Sequence, residues 1–289
     1  MKLYSFAAAG LFCAAASQLA AQAPTDPPAV LRIIREDIKE GRETAHRNNE
    51  NSFMLEAATA HYPAHILGMS SLTGTGQAWF LEAHDSFEAV EKTLAAYGTP
   101  DSKFAQIDEL DAEFRSGSRS WLAMYRPDLS YLPEQWVQSL PKARFMNIDI
   151  FRIQPGHDAD FAELGHMHVD AARKAVSDQP VVAYEIVSGM PAGTYMLFQP
   201  AASLKTMDTE TDRSNAMMRA MGDTAATRFV KGVRDTIVSD ELLLFSIEPR
   251  MSYVPKEFSD VDPDFWNQKS EPAPKPKAHG KAAPKPSGN

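Results

Sequence analysis

The chain has 289 residues, 44% of them hydrophobic, a single cysteine and a formal net charge of −9. This length suits one large or two small domains, and an acidic chain is a poor candidate for nucleic-acid binding. One thiol excludes an intramolecular disulfide and a metal site built from several cysteines.

The N-terminus has the pattern of a secretory signal peptide. A basic start at Lys2 is followed by an apolar, Ala-rich run over residues 4–16 and by the small residues of "SQLAAQAP". This order is typical of a signal peptide, and the run is too short for a transmembrane anchor. We therefore predict that residues 1–23 are removed together with Cys13, and that the mature protein is secreted or periplasmic.

Residues 28–136 predict a first unit with the order strand, helix, strand, strand, helix, strand. The predicted bounds are a strand over 30–39, a helix over 43–61, a hairpin over 66–72 and 77–83, a helix ending near Gly98, and a strand over 121–125. An extra amphipathic helix is indicated by Phe104, Ile107, Leu110 and Phe114. Residues 137–144 are predicted to be a linker.

Residues 145–258 repeat the same order of elements. The strand over 145–153 alternates, with Met146, Ile148 and Ile150 on one face and Asn147, Asp149 and Phe151 on the other. A helix over 159–176, a hairpin within 180–198, one helix carrying Met217 to Val233, and a buried strand over 241–249 follow. Asp149 is expected to have a raised pKa if its face lines the interior.

Two short stretches suggest that the halves are diverged copies. "RPDLSYLPEQW" (126–136) and "EPRMSYVPKEF" (248–258) carry Pro, Ser, Tyr and Pro at matching places. Further echoes occur in the same order, among them "EFRSGSRSW" with "RFVKGVRDT". We predict that each Ser-Tyr stretch leaves the last strand of its own half and braces the other half, with the proline ending the pairing.

This order predicts an α+β fold with two tandem ferredoxin-like βαββαβ units. Each sheet has one bare apolar face, so the two units are expected to cover each other as an intramolecular dimeric α/β barrel. The unit order, the stretch "AWFLEAHDSFEA" (78–89) and the strand exits resemble the dimeric α/β-barrel superfamily, of the antibiotic-biosynthesis-monooxygenase and NIPSNAP type. The resemblance implies a pocket between sheet and helices.

Polar residues interrupt the apolar stripe of the first predicted helix. His46, Asn49 and Glu50 precede Phe53 at helical spacing, which indicates either the mouth of a pocket or a solvated helix start. Trp79 and Tyr195 lie in matching hairpins, where each is either a cavity-lining residue or plain core.

His168 lies on the apolar stripe of the second unit's first helix. It is a ligand-facing acid or base, an axial haem ligand, or a core histidine bonded to a backbone carbonyl. His166 and His168 point about 200° apart on a helix, so one ion cannot bind both, and we predict no metal site.

These patterns predict a protein that binds a small, mostly apolar ligand in a sheet–helix pocket, with its activity unassigned. The alternatives are a cofactor-independent monooxygenase-like enzyme, in which His46 or His168 takes a proton, a haem-binding protein, and a non-catalytic envelope protein. Apart from haem in that alternative, no cofactor is predicted. Residues 259–289 are predicted to be a disordered Lys/Pro/Ala-rich tail, which acts as a spacer or contacts an anionic envelope surface.

Overall fold

The structure of the chain is a computed structural model that describes residues 26–98 and 101–268. The predicted signal peptide (1–23) and residues 269–289 of the predicted tail lie outside the described residues. Among the helices of the described part, none is long and apolar enough to cross a membrane.

The first half follows the predicted order of elements. It contains β1 (Val30–Ile38), α1 (Glu43–Ala60), β2 (His65–Ser71), β3 (Gln77–His84), α2 (Phe87–Ala96), α3 (Lys103–Asp111) and β4 (Arg115–Tyr125). β4 begins earlier than predicted. Its first residues, "RSGSRS", pair with β1, but they are polar and show no apolar alternation, so the sequence pattern did not indicate a strand there. The predicted linker over 137–144 is instead ordered by α4 (Pro133–Ser139) and a 3₁₀ turn (Leu140–Lys142).

The second half has the same order with two corrections. It contains β5 (Phe145–Ile153), α5 (Asp158–Lys174), β6 (Val182–Ser188), β7 (Thr194–Ala201), α6 (Glu210–Met221), α7 (Asp223–Thr236) and β8 (Ile237–Ile247). The strand predicted as buried over 241–249 begins earlier, at Ile237, and only Phe245 and Ile247 of it are buried. The single helix predicted across Met217 and Val233 is two helices. Gly222 separates them with a φ of 78°, which is outside the helical region and accessible to glycine.

Within the described residues, eight strands form one closed antiparallel barrel in the order β1-β3-β2-β8-β5-β7-β6-β4. Each half therefore has the same internal order, β4-β1-β3-β2 in the first and β8-β5-β7-β6 in the second. The halves join where β2 pairs with β8 and β4 pairs with β6. The predicted fold, two ferredoxin-like units closed into a dimeric α/β barrel, is confirmed.

Large apolar side chains fill the interior of the barrel. Side chains alternate between the two faces of each strand. The inward-facing, fully buried ones include Ile33, Trp79, Ile148, Phe198 and Phe245. Trp136 of α4 joins this core and donates its indole N–H to the Phe198 carbonyl at 2.9 Å. The open space in the fold therefore has to be sought between the sheet and the helices.

The two Ser-Tyr stretches cross from one half to the other, as predicted, and we call residues 126–136 and 248–258 the straps. Their backbone pairs are Tyr131 with Val181 and Tyr253 with Ile66. Each strap thus adds a short antiparallel pairing to the half that it does not belong to.

The strap serines hold the opposite half through their hydroxyl groups. Ser130 Oγ accepts a hydrogen bond from the Ala183 N–H at 3.0 Å, and Ser252 Oγ accepts one from the Gly68 N–H at 2.9 Å. These contacts satisfy backbone donors that the strand ladder leaves unpaired.

The first part of the predicted tail, residues 259–268, is ordered. The described residues continue from α8 (Lys256–Ser259) into α9 (Pro263–Trp266), and Trp266 is only 7% exposed. Its indole N–H donates to the Pro141 carbonyl at 2.8 Å, and Arg144 pairs with Asp262. The aromatic residues of this segment outweigh its proline content, which explains why composition alone misplaced the boundary.

Candidate functional site

A cavity of about 340 Å³ lies between the sheet and the helices of the first half, and we call it the first-half cavity. Its apolar wall is formed by Ile34, Phe53, Met54, Ile66 and Phe80. Charged side chains lie at its two ends, so the cavity is apolar in the middle and polar at both ends.

The alternation of β1 explains this distribution. Ile33 faces the barrel interior, so its neighbours Arg32 and Ile34 face the helices, and Glu36 follows on the same side. On α1, the buried residues recur every three or four positions and change from polar to apolar along the helix. They are His46, Asn49, Glu50, Phe53, Met54 and Ala57.

One end of the cavity holds a group that we call the acidic cluster: Glu36, His46, Glu50 and Asp111. One potential ligand atom from each residue lies within 4.8 Å of those of the other three. His46 Nε2 is 2.8 Å from Glu36 Oε2 and 3.6 Å from Asp111 Oδ2. Three elements, β1, α1 and α3, therefore converge on one point.

Two further side chains position the carboxylates of the acidic cluster. Arg115, at the start of β4, pairs with Glu36 and, at 2.7 Å, with Asp108. Asn49 donates from Nδ2 to Asp111 Oδ1 at 3.2 Å and to the Ile107 carbonyl at 3.0 Å. These contacts hold one oxygen of Glu36 and one of Asp111 away from the centre of the cluster.

Glu50 and Asp111 are incompletely satisfied. Glu50 is 9% exposed, lines the cavity, and makes neither a hydrogen bond nor an ion pair within the described residues. Burial, and then Glu36 and Asp111, raise the pKa of Glu50 well above its usual range. Burial also raises the pKa of Asp111 to about 6, and its Oδ2 atom is buried without a hydrogen bond. The cluster therefore carries more buried negative charge than its neighbours neutralise.

The other end of the cavity is fully paired. Glu82, 1% exposed, accepts from the Tyr62 hydroxyl at 3.1 Å and from Arg32 Nη1 at 3.4 Å, and it lies 2.7 Å from His84 Nε2. Burial, and then Glu82, raise the pKa of Tyr62 above its usual range. This end of the cavity is a satisfied hydrogen-bond network.

Among the described residues of the second half, no group of three or more His, Asp and Glu side chains converges in this way. Gly41 and Gly156, at φ 74° and 85°, occupy the same place in the two halves, each two residues before the first residue of α1 or α5. When the sequences of the two halves are aligned on these glycines, Phe151 corresponds to Glu36, Phe161 to His46 and Gly165 to Glu50.

Apolar side chains fill that layer of the second half. Phe161 stacks on Tyr195 with ring centroids 4.4 Å apart, and both belong to a buried apolar cluster with Leu129. The Leu129 side chain occupies the space beside Gly165, where a Cβ atom would overlap it. The layer that is open in the first half is therefore filled in the second. The second half has a different cavity, of about 250 Å³, on its α5–α7 side, lined by charged side chains such as Glu163 and Arg228.

The structure brings three of the six sequence candidates together. His46 and Glu50 belong to the acidic cluster, and Asn49 braces it. Trp79 lies inside the barrel, where its ring contacts Trp121 and Phe245 at centroid distances of 5.2 and 5.1 Å.

The other two candidates lie in the second half. Tyr195 packs in the filled layer of that half. His168 is partly buried on α5 beside Phe229, and burial lowers its pKa. Neither lines the first-half cavity.

Sequence reasoning missed Glu36, Asp111 and Arg115. The alternation of β1 was a usable signal for Glu36, because it shares a face with Ile34. Asp111 is the last residue of α3 and Arg115 the first of β4, and nothing local in the sequence places them against α1.

The comparisons with known proteins are informative at the level of the fold. The chain matches no family model and no curated protein sequence. A candidate monooxygenase from Fusobacterium nucleatum subsp. nucleatum is similar in structure with 9% identity, 76% of this chain and 93% of that chain covered, and a TM-score of 0.50.

Two further solved structures are similar. An anthrone oxidase-like protein has 12% identity, coverage of 76% and 91%, and a TM-score of 0.47. A chlorite dismutase from Candidatus Nitrospira defluvii, in complex with imidazole, has 10% identity, coverage of 81% and 95%, and a TM-score of 0.46. Identities this low show a likeness of fold alone.

Proposed function

We propose that the chain binds a small, mostly apolar molecule in the first-half cavity, with the polar part of that molecule directed at the acidic cluster. The contrast between equivalent layers supports this most directly: about 340 Å³ with an apolar wall stays open in the first half, where the second half packs Phe151, Phe161 and Tyr195 and has only a smaller cavity elsewhere, between α5 and α7. A volume in this range, with apolar walls and a few convergent polar groups, is usual for small-molecule sites.

The lining residues indicate the chemistry of the ligand. Glu50 faces the cavity without a partner in the described part of the chain, so its oxygens are available to accept a hydrogen bond. An anionic molecule would meet Glu36, Glu82 and Asp108 as well, and like charges in a partly buried site repel strongly. The site therefore suits an uncharged aromatic or aliphatic molecule with a hydroxyl group.

The residues present do not fit haem. His168, the axial ligand that the sequence suggested, lies in the second half, and no histidine is among the described residues that line the cavity. The two propionates of haem would also face the carboxylates of Glu36, Glu50 and Glu82. A haem-binding role is therefore not part of the proposal.

Turnover of the ligand is a narrower alternative. The likeness to a candidate monooxygenase concerns the fold, and neither predicted proton acceptor lines the cavity. His46 Nε2 is committed to Glu36 at 2.8 Å, and His168 lies in the other half. A purely structural envelope role would not require an open, polar-ended cavity. We therefore propose ligand binding, with the activity unassigned.

Export and tail contacts stay predictions from the sequence. N-terminal sequencing of the protein recovered from culture medium or periplasm tests removal of residues 1–23. Binding of the full chain and of a chain ending at residue 268 to anionic envelope polymer tests the tail contact.

Calorimetry with 2-naphthol, a small aromatic alcohol, tests the proposed function. We expect saturable binding at a single site with a dissociation constant on the order of 10 µM. Ile34→Phe adds bulk to the cavity wall and is expected to weaken this binding at least about tenfold, or ~1.4 kcal/mol.

Leu197→Phe is the matched control, because Leu197 lies in the corresponding layer of the second half. This variant is expected to bind 2-naphthol like the wild type. Equal binding by wild type and Ile34→Phe, with both folded by circular dichroism, would show that the first-half cavity is not the site.

A further inference from the structure

The acidic cluster has the composition of a metal site. It combines three carboxyl groups with one imidazole, and His46 and Glu50, four residues apart on α1, point to the same side of that helix. Glu36 arrives from β1 and Asp111 from α3, so the four groups surround a common centre from three elements. Arg115 supplies one positive charge against three carboxyl groups.

We propose that Glu36, His46, Glu50 and Asp111 bind one divalent transition-metal ion at the floor of the first-half cavity. A mixed carboxylate and imidazole set suits Mn²⁺, Fe²⁺ or Zn²⁺, whereas Mg²⁺ and Ca²⁺ take oxygen ligands. This proposal departs from the sequence-based prediction of no metal site, which weighed residues of α5 such as His166 and His168 and did not bring Glu36 and Asp111 together with His46.

Two side chains with unsatisfied hydrogen-bonding capacity support the proposal independently of the composition, although Asp111 Oδ2 also has His46 Nε2 and Arg115 Nη1 at 3.6 Å. Asp111 is 1% exposed, and its Oδ2 atom is buried without a hydrogen bond. Glu50, more than nine-tenths buried, makes no hydrogen bond or ion pair in the part of the chain that the structure describes. Buried polar atoms are normally paired, and a cation at the centre of the cluster would pair both.

The surroundings of the cluster resemble a supporting shell for a metal ion. Asn49 holds Asp111 Oδ1 at 3.2 Å, which leaves Oδ2 directed toward His46. Arg115 holds Glu36 Oε1, which leaves Oε2 on the side of His46 Nε2. Such outer contacts fix the orientation of ligand groups before the ion arrives.

The second half provides an internal comparison. Its aligned positions are Phe151, Phe161 and Gly165, which offer no ligand atom. The metal site is therefore expected once per chain, in the first half.

Metal binding to the untagged full chain tests this inference without any small-molecule ligand, so its failure would leave the proposed function standing. After treatment with EDTA, MnCl₂ or ZnCl₂ is titrated by calorimetry, and the bound ion is counted by elemental mass spectrometry. We expect one tight site per chain, and Glu50→Gln and His46→Gln are each expected to weaken it by about 100-fold or more.

Glu163→Gln on α5 is the matched control, because it removes an exposed carboxylate of the second half, and it is expected to bind like the wild type. Wild-type protein that binds no ion, or Glu50→Gln protein that binds it equally well, would overturn the inference.

A wild-type measurement covers the case in which the variants do not fold. In methyl-labelled protein, Mn²⁺ is expected to broaden the signals of Ile34 and Ile107 near the cluster, and not that of Ile186 in the second half. Broadening centred in the second half would overturn the inference as well.

Discussion

Two buried carboxylates at opposite ends of one cavity have opposite environments. Glu82 is paired with Tyr62, Arg32 and His84, whereas Glu50 has no hydrogen-bond partner among the described residues. A satisfied buried charge stabilises a fold at best modestly, and an unsatisfied one costs free energy. The stability of the fold does not explain why a glutamate is buried at position 50. We therefore assign Glu50 a binding role.

Asp149 predicts a pH dependence of stability in the second half. It faces the helices, because Ile148 and Ile150 face the interior. Burial, and then Glu210 and Asp240, raise its pKa to about 6. An unfolded aspartate titrates near about 4, so the folded state holds the proton more tightly and loses stability as pH rises from about 4 to about 6.

Asp149→Asn removes this loss, because an amide does not ionise. Urea denaturation is expected to show the variant more stable than the wild type by up to ~2 kcal/mol at pH 8 and similar to it at pH 4. Asp212→Asn, which removes an exposed carboxylate of α6, serves as the control. A stability difference between Asp149→Asn and wild type that is the same at both pH values would contradict this assignment.

At the residue scale, the sequence predicts the part of the candidate site that α1 contributes. His46, Asn49 and Glu50 are visible because three polar residues interrupt an apolar helical stripe. Asp111 and Arg115 are not visible, because their position depends on how α3 and β4 pack against α1, and this is set by tertiary contacts.

The strap of the second half explains why one position of β2 requires a residue without a Cβ atom. The strap of the second half passes directly over Gly68, whose N–H bonds Ser252 and whose carbonyl accepts from Glu248. A Cβ atom at Gly68 would overlap the backbone carbonyl of Met251. The backbone of the strap cannot move aside as a flexible side chain does, so a side chain at position 68 cannot be accommodated unless the strap is displaced.

Gly68→Ala is therefore expected to lower the free energy of unfolding by about 3 kcal/mol, measured by urea denaturation. Gly76→Ala, next to β3, meets its nearest atom at 3.8 Å and is expected to change stability little. Similar effects of the two substitutions would show that the strap does not lie against β2.

At the element scale, periodicity predicts strands and helices whose apolar residues alternate or recur. The strand over 145–153 was predicted with its observed bounds, and the repeated Ser-Tyr stretches predicted the straps. The start of β4 and the break at Gly222 were missed. The first residues of β4 are polar and give no strand pattern. In the α6–α7 region the helical spacing of apolar residues continues across Gly222, so the pattern does not show that the helix ends there.

The whole molecule is symmetric in its backbone and asymmetric in its chemistry. Both halves have the same strand order and exchange straps, and their inner faces form one filled core. The layer between sheet and helices differs, with a polar-ended cavity in the first half and, in the equivalent place of the second, the packed aromatic residues Phe151, Phe161 and Tyr195. We infer that the second half completes the barrel while the first half carries the function.

A crystal structure of the full chain with bound 2-naphthol tests this division of roles most directly. We predict density for the aromatic ring beside Ile34, Phe53 and Phe80, with its hydroxyl group toward Glu50. Density inside the barrel, or beside Phe161 in the second half, would contradict the assignment of function to the first half.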